Sequence, residues 1–312
     1  MPYIKPTSDI FIKYLLGTEE HKDLLLSFIN AVMSDSGFPL VQSVEIRNPF
    51  NIKNMIHGKE SILDIKAEDE NGKIFNIEMQ ASGDETFKTR SLYYWAKLYS
   101  SQLNEGDKYI TLFPVVCINI LEFEMFRQFD KYHSTFVLRD IKHPDYILTD
   151  HLAIHFIELP KFKNYNINMD KKLEKWLYYL KQEGIEKEDG IMEILIKEDA
   201  TFKKAHEKYA AFTRDDEMVE AYESHMKWVR DYNTKMFIAK EEGIKIGLEK
   251  GKKEGRKEGE LKGRKEGELI GKIQILQQIL KKPVSDEAKL LQQNINELET
   301  LFQNLQKELT IQ

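Results

Sequence analysis

From Ser61 to Gln80 the chain alternates, with Leu63, Ile65 and Ala67 on one side and Ile62, Asp64 and Lys66 on the other. After a polar break, Phe75, Ile77 and Met79 alternate with Asn76, Glu78 and Gln80. Two strands and a tight turn are predicted. Asn71-Gly72 is a hairpin signal, but a two-residue loop there would mix polar and apolar positions on each face. A three-residue loop, Glu70-Asn71-Gly72 with Gly72 left-handed, keeps the two sets apart. Asp64 then opposes Glu78, Ile65 opposes Ile77, Lys66 opposes Asn76 and Ile62 opposes Gln80.

The same reading extends along the chain. Pro6-Thr7-Ser8-Asp9 opens a helix carrying Ile10, Phe11, Tyr14 and Leu15, which Gly17 closes. Thr18 is expected to cap a second helix striped by Leu24, Leu25, Phe28, Ile29 and Val32. A strand is expected from Val41 to Pro49, then a polar connection around Asn51–Lys59. Beyond the hairpin, Ala81-Ser82-Gly83-Asp84 forms a turn before a helix from Glu85 to Leu103. That helix is expected to point Phe87, Leu92, Trp95, Leu98 and Tyr99 inward and to align Arg90, Tyr94 and Lys97 on a polar side. Pro114 to Leu121 is nearly all apolar and reads as a strand buried on both faces. Further strands are predicted near Ser134–Arg139 and Ala153–Leu159. The order helix, three strands, helix, strand gives an α/β domain over residues 1–160.

A polar linker is expected at 161–170 and a helical region at 171–240, with helices over Leu173–Leu180 and from Gly190 to Phe212. Thr213-Arg214-Asp215-Asp216 breaks the chain before a last helix from about Glu217. Glycine then recurs every fourth residue from Gly243 to Gly271 among Glu, Lys and Arg. Each glycine costs a helix about 0.8–1 kcal/mol relative to alanine. Over 241–272 two readings stay open: a helix paired along its small residues with a right-handed wind, or a flexible charged linker. Residues 273–312 read as a helical hairpin or coiled coil, with Ser285 capping a helix that carries Leu290, Leu298, Leu301 and Leu305.

Composition narrows the class. The chain has 312 residues, 41% hydrophobic and 31% charged, enough for a sizeable core with exposed helix. A net charge of −6 argues against dense coating of nucleic acid, though not against a local basic groove. One cysteine, Cys117, excludes an intrachain disulfide. With no signal-like N-terminus or membrane-length apolar run, a cytoplasmic setting is expected. His151 and His155 are four apart in a predicted strand, where that spacing makes no helical metal face.

The hairpin register carries the chemistry. Directly opposed strand residues have Cβ atoms about 4.5–5.5 Å apart, and like charges there repel. Asp64 and Glu78 so placed can share a divalent cation, which one or two carboxylates, water and a substrate phosphate typically hold for Mg²⁺. The alternative is the solvated face of an ordinary antiparallel hairpin.

Taken in order, Thr7-Ser8-Asp9-Ile10-Phe11-Ile12-Lys13, Ile62-Leu63-Asp64-Ile65-Lys66-Ala67, Asn76-Ile77-Glu78-Met79-Gln80 and Ser91-Leu92-Tyr93-Tyr94 resemble the PD-(D/E)XK nuclease superfamily. With the glycine array they look like its branch of recombination-promoting nucleases and transposases. The resemblance implies a restriction-endonuclease-like core, α-β-β-β-α-β, with a mixed sheet flanked by helices and followed by an all-helical C-terminal region. It implies Mg²⁺-dependent (or Mn²⁺-dependent) hydrolysis of DNA, with Asp64, Glu78 and the Met79 backbone carbonyl on the metal. The superfamily's usual lysine is replaced by Gln80, which can position water but supplies no charge. Lys66, Lys97 and Arg90 are the candidate replacements, and Asp9 a further carboxylate. Arg90, Tyr94 and Lys97 are candidates for substrate contact. RNA stays open as a substrate, and a homodimer is expected because cutting two strands calls for two sites. A nuclease fold serving only as a DNA-binding or oligomerising scaffold is the competing reading.

Overall fold

The computed structural model describes residues 4–50, 64–83, 86–163, 167–181 and 190–311. Two compact units divide the chain, Met1–Trp228 and Val229–Gln312.

The first unit is built on a six-stranded mixed sheet in the order β1-β2-β3-β4-β6-β5. Its strands are β1 Val44–Ile46, β2 Asp64–Asp69, β3 Ile74–Gln80, β4 Val115–Leu121, β5 His133–Phe136 and β6 Leu152–Glu158. β3, β4 and β6 run parallel in the centre, and the outer pairs are antiparallel. The hairpin pairs Asp64 with Glu78, Ile65 with Ile77 and Lys66 with Asn76, as alternation predicts. The expected partner of Gln80, Ile62, lies outside the described residues.

The turn closes with the Gly72 amide donating to the Asp69 carbonyl at 3.1 Å and the Asp69 amide to the Lys73 carbonyl at 2.9 Å. Gly72 has φ of 83°, the left-handed region in which a side chain costs about 1–2 kcal/mol. A Cβ there would also stand 2.6 Å from the Phe113 ring. Gly72→Ala is therefore expected to destabilise the protein by about 2 kcal/mol, read as a lower urea midpoint at unchanged m-value. An unchanged midpoint would mean that the turn does not constrain the register.

Alternation sorts the sheet into two cores. Ile65, Ala67, Phe75, Ile77, Met79, Val116, Ile118 and Ile120 face α1 (Asp9–Gly17) and α2 (Lys22–Asp35). On the opposite face Val115, Cys117, Leu121, Ile154 and Phe156 pack against Phe87 of α3, Phe87–Ser100. Helix α3 is the crossover that two parallel neighbours, β3 and β4, require. Its Leu92 points outward at 49% exposure, whereas Trp95, Leu98 and Tyr99 are half-buried. Leu92 was expected inside, but α3 covers the sheet with only a narrow stripe, and Leu92 lies off it.

Several local expectations are corrected. Within the opening Pro6-Thr7-Ser8-Asp9, Ser8 is the residue that caps α1, accepting from the Phe11 amide. Thr18 does not cap α2: its hydroxyl donates back to the Tyr14 carbonyl at 2.7 Å, and a 3-10 turn, Glu19–His21, intervenes. The first strand is only three residues long. The single helix expected from Gly190 to Phe212 is two, α5 (Gly190–Glu198) and α6 (Ala200–Arg214), because Asp199 recaps the chain on the Thr201 amide. Together with α4 (Lys172–Lys181), α6 contributes Trp176, Tyr179, Phe202 and Phe212 to the same core as Phe11 and Phe28.

Helix α7 runs from Asp216 to Ile279 and carries the whole glycine array as helix. Lys250–Glu254, Arg256–Glu260, Lys262–Glu266 and Arg264–Glu268 pair along it at i,i+4. In the second unit, Ile270 and Ile273 of α7 pack against Leu290 of α8 (Glu287–Leu290) and Leu298 and Leu305 of α9 (Ile295–Ile311). Asp286 rather than Ser285 caps α8, since the Ser285 hydroxyl is taken by the Gln277 amide at 2.9 Å. Among the described residues no helix is long and apolar enough to cross a membrane.

Candidate active site

On the α3 side of the sheet, β2 and β3 present Asp64, Lys66, Asn76, Glu78 and Gln80 side by side. One turn-spaced face of α3 presents Arg90, Tyr94 and Lys97 opposite them. Together with Leu98 and Ser101 these residues line a cavity of about 440 Å³. The hairpin and helix residues singled out from the sequence as site candidates converge here except Met79 and Asp9. Met79 is not among the lining residues, and its side chain lies in the other core. Asp9 is not among the lining residues, and its carboxylate stands 3.6 Å from His225 Nε2.

The β3 part of this strand face is not solvated, whereas the Lys66 and Asp64 side chains of β2 keep 40% and 24% exposure. Asn76, Glu78 and Gln80 are 3%, 5% and 9% exposed, which removes the ordinary-hairpin alternative. Polar groups buried this deeply cost free energy unless something satisfies them. Among the described residues, Glu78 Oε1 receives only a long hydrogen bond from Asn76 Nδ2 at 3.4 Å, and Glu78 Oε2 is buried with no partner. Burial first, and the facing Asp64 carboxylate second, push the Glu78 carboxyl up to about 7. Cys117 lies behind the same face, where burial and then Glu78 push its thiol up to about 12, so it stays a neutral packing group.

Cations surround the two carboxylates. Lys66 Nζ lies 3.3 Å from Asp64 Oδ2 and reaches into the cavity mouth. Arg90 spreads its guanidinium over the Phe87 ring, 4.7 Å from the centroid, and donates from Nη2 to Gln80 Oε1 at 2.9 Å. The Gln80 amide oxygen is thereby engaged, which leaves its NH₂ as the group available to the cavity. Asn76 was not singled out from the sequence as a site residue. Its signal was its place in the alternation, two positions before Glu78 on the same face.

The donor set fits a hard divalent cation. Two carboxylates oppose one another, and one has a buried oxygen that no donor among the described residues reaches. Among the described residues no cluster of three or more His, Cys, Asp or Glu could enclose a metal. An ion held here keeps positions open for water and phosphate, as Mg²⁺ prefers.

The profile of one family, described as PD-(D/E)XK nuclease family transposase, matches residues 6–239, well over half of the chain. The match takes in the hairpin, α3 and every lining residue of the cavity. No curated protein and no solved structure matches the chain.

Proposed function

Because the chain belongs to the PD-(D/E)XK nuclease family transposases, we propose that it is a Mg²⁺-dependent endonuclease that hydrolyses DNA phosphodiesters at the Asp64–Glu78 cavity. The observation that carries this reading is the buried Glu78 Oε2, without a partner among the described residues, facing Asp64 in a cavity also lined by Lys66, Arg90 and Lys97. Asp64, Glu78 and the Met79 carbonyl are the proposed metal ligands. When bound, the metal supplies Lewis acidity toward the phosphate and lowers the pKa of water.

The chain's own residues perform the rest. Without the metal, burial and the facing Asp64 carboxylate hold the Glu78 carboxyl up to about 7, so it gives up its proton when a cation binds and serves as a ligand rather than as the base toward an attacking water. Gln80, held by Arg90, offers its NH₂ to orient that water. Arg90, Lys66 and Lys97 provide the positive charge that a lysine at position 80 would have given, and they do so from the walls of the cavity rather than its floor. Tyr94 offers a half-buried ring on which a nucleotide can rest. Recombination or mobile-element movement is the setting proposed for the activity. A dimer, bringing two such cavities to one duplex, is part of the same proposal.

A plasmid-nicking assay with and without Mg²⁺, run beside Asp64→Ala, tests it. Nicking that needs Mg²⁺ and vanishes in the variant supports the reading; full nicking by the variant overturns it. Arg90→Ala frees Gln80 and removes one cation, so a loss of about 10–100-fold in kcat/KM is expected, the range seen when a residue that positions a catalytic group is removed. Unchanged kcat/KM in a folded Arg90→Ala protein would remove Arg90 from the site.

A further inference from the structure

One buried charge takes no part in the Asp64–Glu78 cavity. Glu158, the last residue of β6, is fully buried. Its Oε1 accepts from the Met125 amide at 2.6 Å and the Phe126 amide at 3.0 Å, and its Oε2 from Lys161 Nζ at 2.8 Å. Lys161 Nζ donates in turn to the Phe126 carbonyl at 2.6 Å. A buried pair of this kind adds little net stability; what it can supply is a single conformation. Here it fixes the loop 122–128 that follows β4. The Glu122 amide donates to the Gln80 carbonyl at 3.0 Å, and Phe126 packs into the core beneath α3.

The loop so held closes a second cavity, of about 240 Å³, whose walls carry Lys88, Arg127, Gln128 and Glu124. Gly83 also lines it, and a Cβ there would stand 2.2 Å from the Phe123 ring, so only glycine lets the loop approach this closely. Lys88 holds its ammonium 5.3 Å from the Phe126 ring centroid. Unlike Lys66, which pairs with Asp64, neither Lys88 nor Arg127 has an ion-pair partner among the described residues. The two cavities adjoin. β3 ends on Gln80 in the first, and Gly83 follows in the second; the first turn of α3 gives Arg90 to the first and Lys88 to the second. Three residues of extended chain span at most about 10 Å. Successive phosphates of one strand rise about 3.4 Å along a duplex, so the second cavity lies within about three nucleotides of the first.

We propose that Lys88, Arg127 and Gln128 form a phosphate subsite that grips the backbone of the substrate strand beside the scissile phosphodiester, with the Glu158–Lys161 pair holding its loop in shape. It rests on the nuclease reading of the Asp64–Glu78 cavity. An ammonium, a guanidinium and an amide NH₂ are the donors that phosphate oxygens take, the guanidinium as a bidentate fork. Glu124 sets the charge of the ligand. Two cations against one carboxylate leave these walls with one positive charge, which matches an internal phosphodiester. A terminal phosphate, at about −1.5 to −2 at pH 7, exceeds it. The subsite therefore holds the interior of a strand rather than its end, and it sets register without reading sequence.

Fluorescence anisotropy of a labelled DNA duplex, titrated in EDTA with the full-length protein at several salt concentrations, tests this. Lys88→Ala/Arg127→Ala should weaken binding about tenfold and flatten the slope of log K against log salt by about 0.9, the value of one phosphate contact. Glu124→Gln should tighten binding by about two- to fivefold. In Mg²⁺-dependent nicking the double variant should lose kcat/KM chiefly through KM. Lys22→Ala/Lys203→Ala removes two exposed cations from α2 and α6, behind the sheet, and should keep Kd within about twofold of the wild type. An equal loss in that control overturns the subsite and leaves the nuclease reading standing. So does an unchanged Kd in Lys88→Ala/Arg127→Ala while the wild type binds and nicks, or weaker binding by Glu124→Gln. A wild type that neither binds nor nicks overturns both.

Discussion

Glu78→Gln is expected to lower metal-dependent nicking by about 10³-fold, the loss typical of removing a group that acts on transition-state charge. In the same protein it should raise stability at pH 8, without divalent metal, by about 3 kcal/mol. The second effect follows from the first residue's burial. Glu78 ionises at its ordinary 4.5 in the unfolded chain and near 7 in the folded one. Between those values the folded protein keeps a proton that the unfolded chain has released, so this group's contribution to stability falls as pH rises from 4.5 to 7. Above 7 the full cost is present, at 1.36 kcal/mol per unit of displacement. Glutamine has the same shape and no charge at any pH. Urea denaturation of metal-free wild type and variant should therefore give nearly equal stabilities at pH 4.5 and diverging ones toward pH 8. Added Mg²⁺ should stabilise the wild type and leave the variant unchanged. Equal stabilities at both pH values would mean that Glu78 is satisfied by something other than a metal, and would count against the proposed site.

Trp176→Ala is expected to cost about 3–5 kcal/mol and to lower the cooperative unfolding midpoint of the first unit as a whole. Trp176 is fully buried and meets Phe28 edge-on at 5.7 Å and Phe202 at 5.1 Å, while its Nε1 donates to Ser27 Oγ at 3.3 Å. Those contacts join α4 and α6 to α2, which in turn lies on the sheet face behind the hairpin. The cavity is on the opposite face, so the substitution should leave kcat/KM of the folded fraction intact at low temperature. Loss confined to α4–α6, with the sheet's hydrogen-exchange protection unaltered, would show instead that these helices are an independent layer.

What could be read from the chain alone was what short-range periodicity controls. A strand's faces repeat every two residues, so the alternation of Ile65 and Ile77 with Asp64, Lys66, Asn76 and Glu78 fixed both the register and the loop that closes it. A left-handed Gly72 was then the one solution that kept the sets apart. The continuous apolar run of β4 likewise declared a strand with both faces covered. Cap identities were less legible, because Thr18 and Ser285 have hydroxyls that longer-range partners, the Tyr14 carbonyl and Gln277, claim first.

The local terms did not decide the glycine array either. Four i,i+4 ion pairs at about 0.3–0.5 kcal/mol each fall short of eight glycines at about 0.8–1 each, yet α7 is helical throughout. The other decisions were tertiary. Burial belongs to layers rather than to strands, so only the packing of α3 on the sheet turned Asn76, Glu78 and Gln80 from a solvated face into the floor of a cavity. The same packing moved the Glu78 carboxyl toward neutrality. Arg90 reaching Gln80 depends on the crossover that returns the chain over its own hairpin. His133 and His155 are 22 residues apart in sequence and meet only because β5 pairs antiparallel with β6 under the end of α2. Sequence spacing sets which side of an element a residue takes; the distance between elements, and hence the chemistry two residues can share, is set by how those sides close on one another.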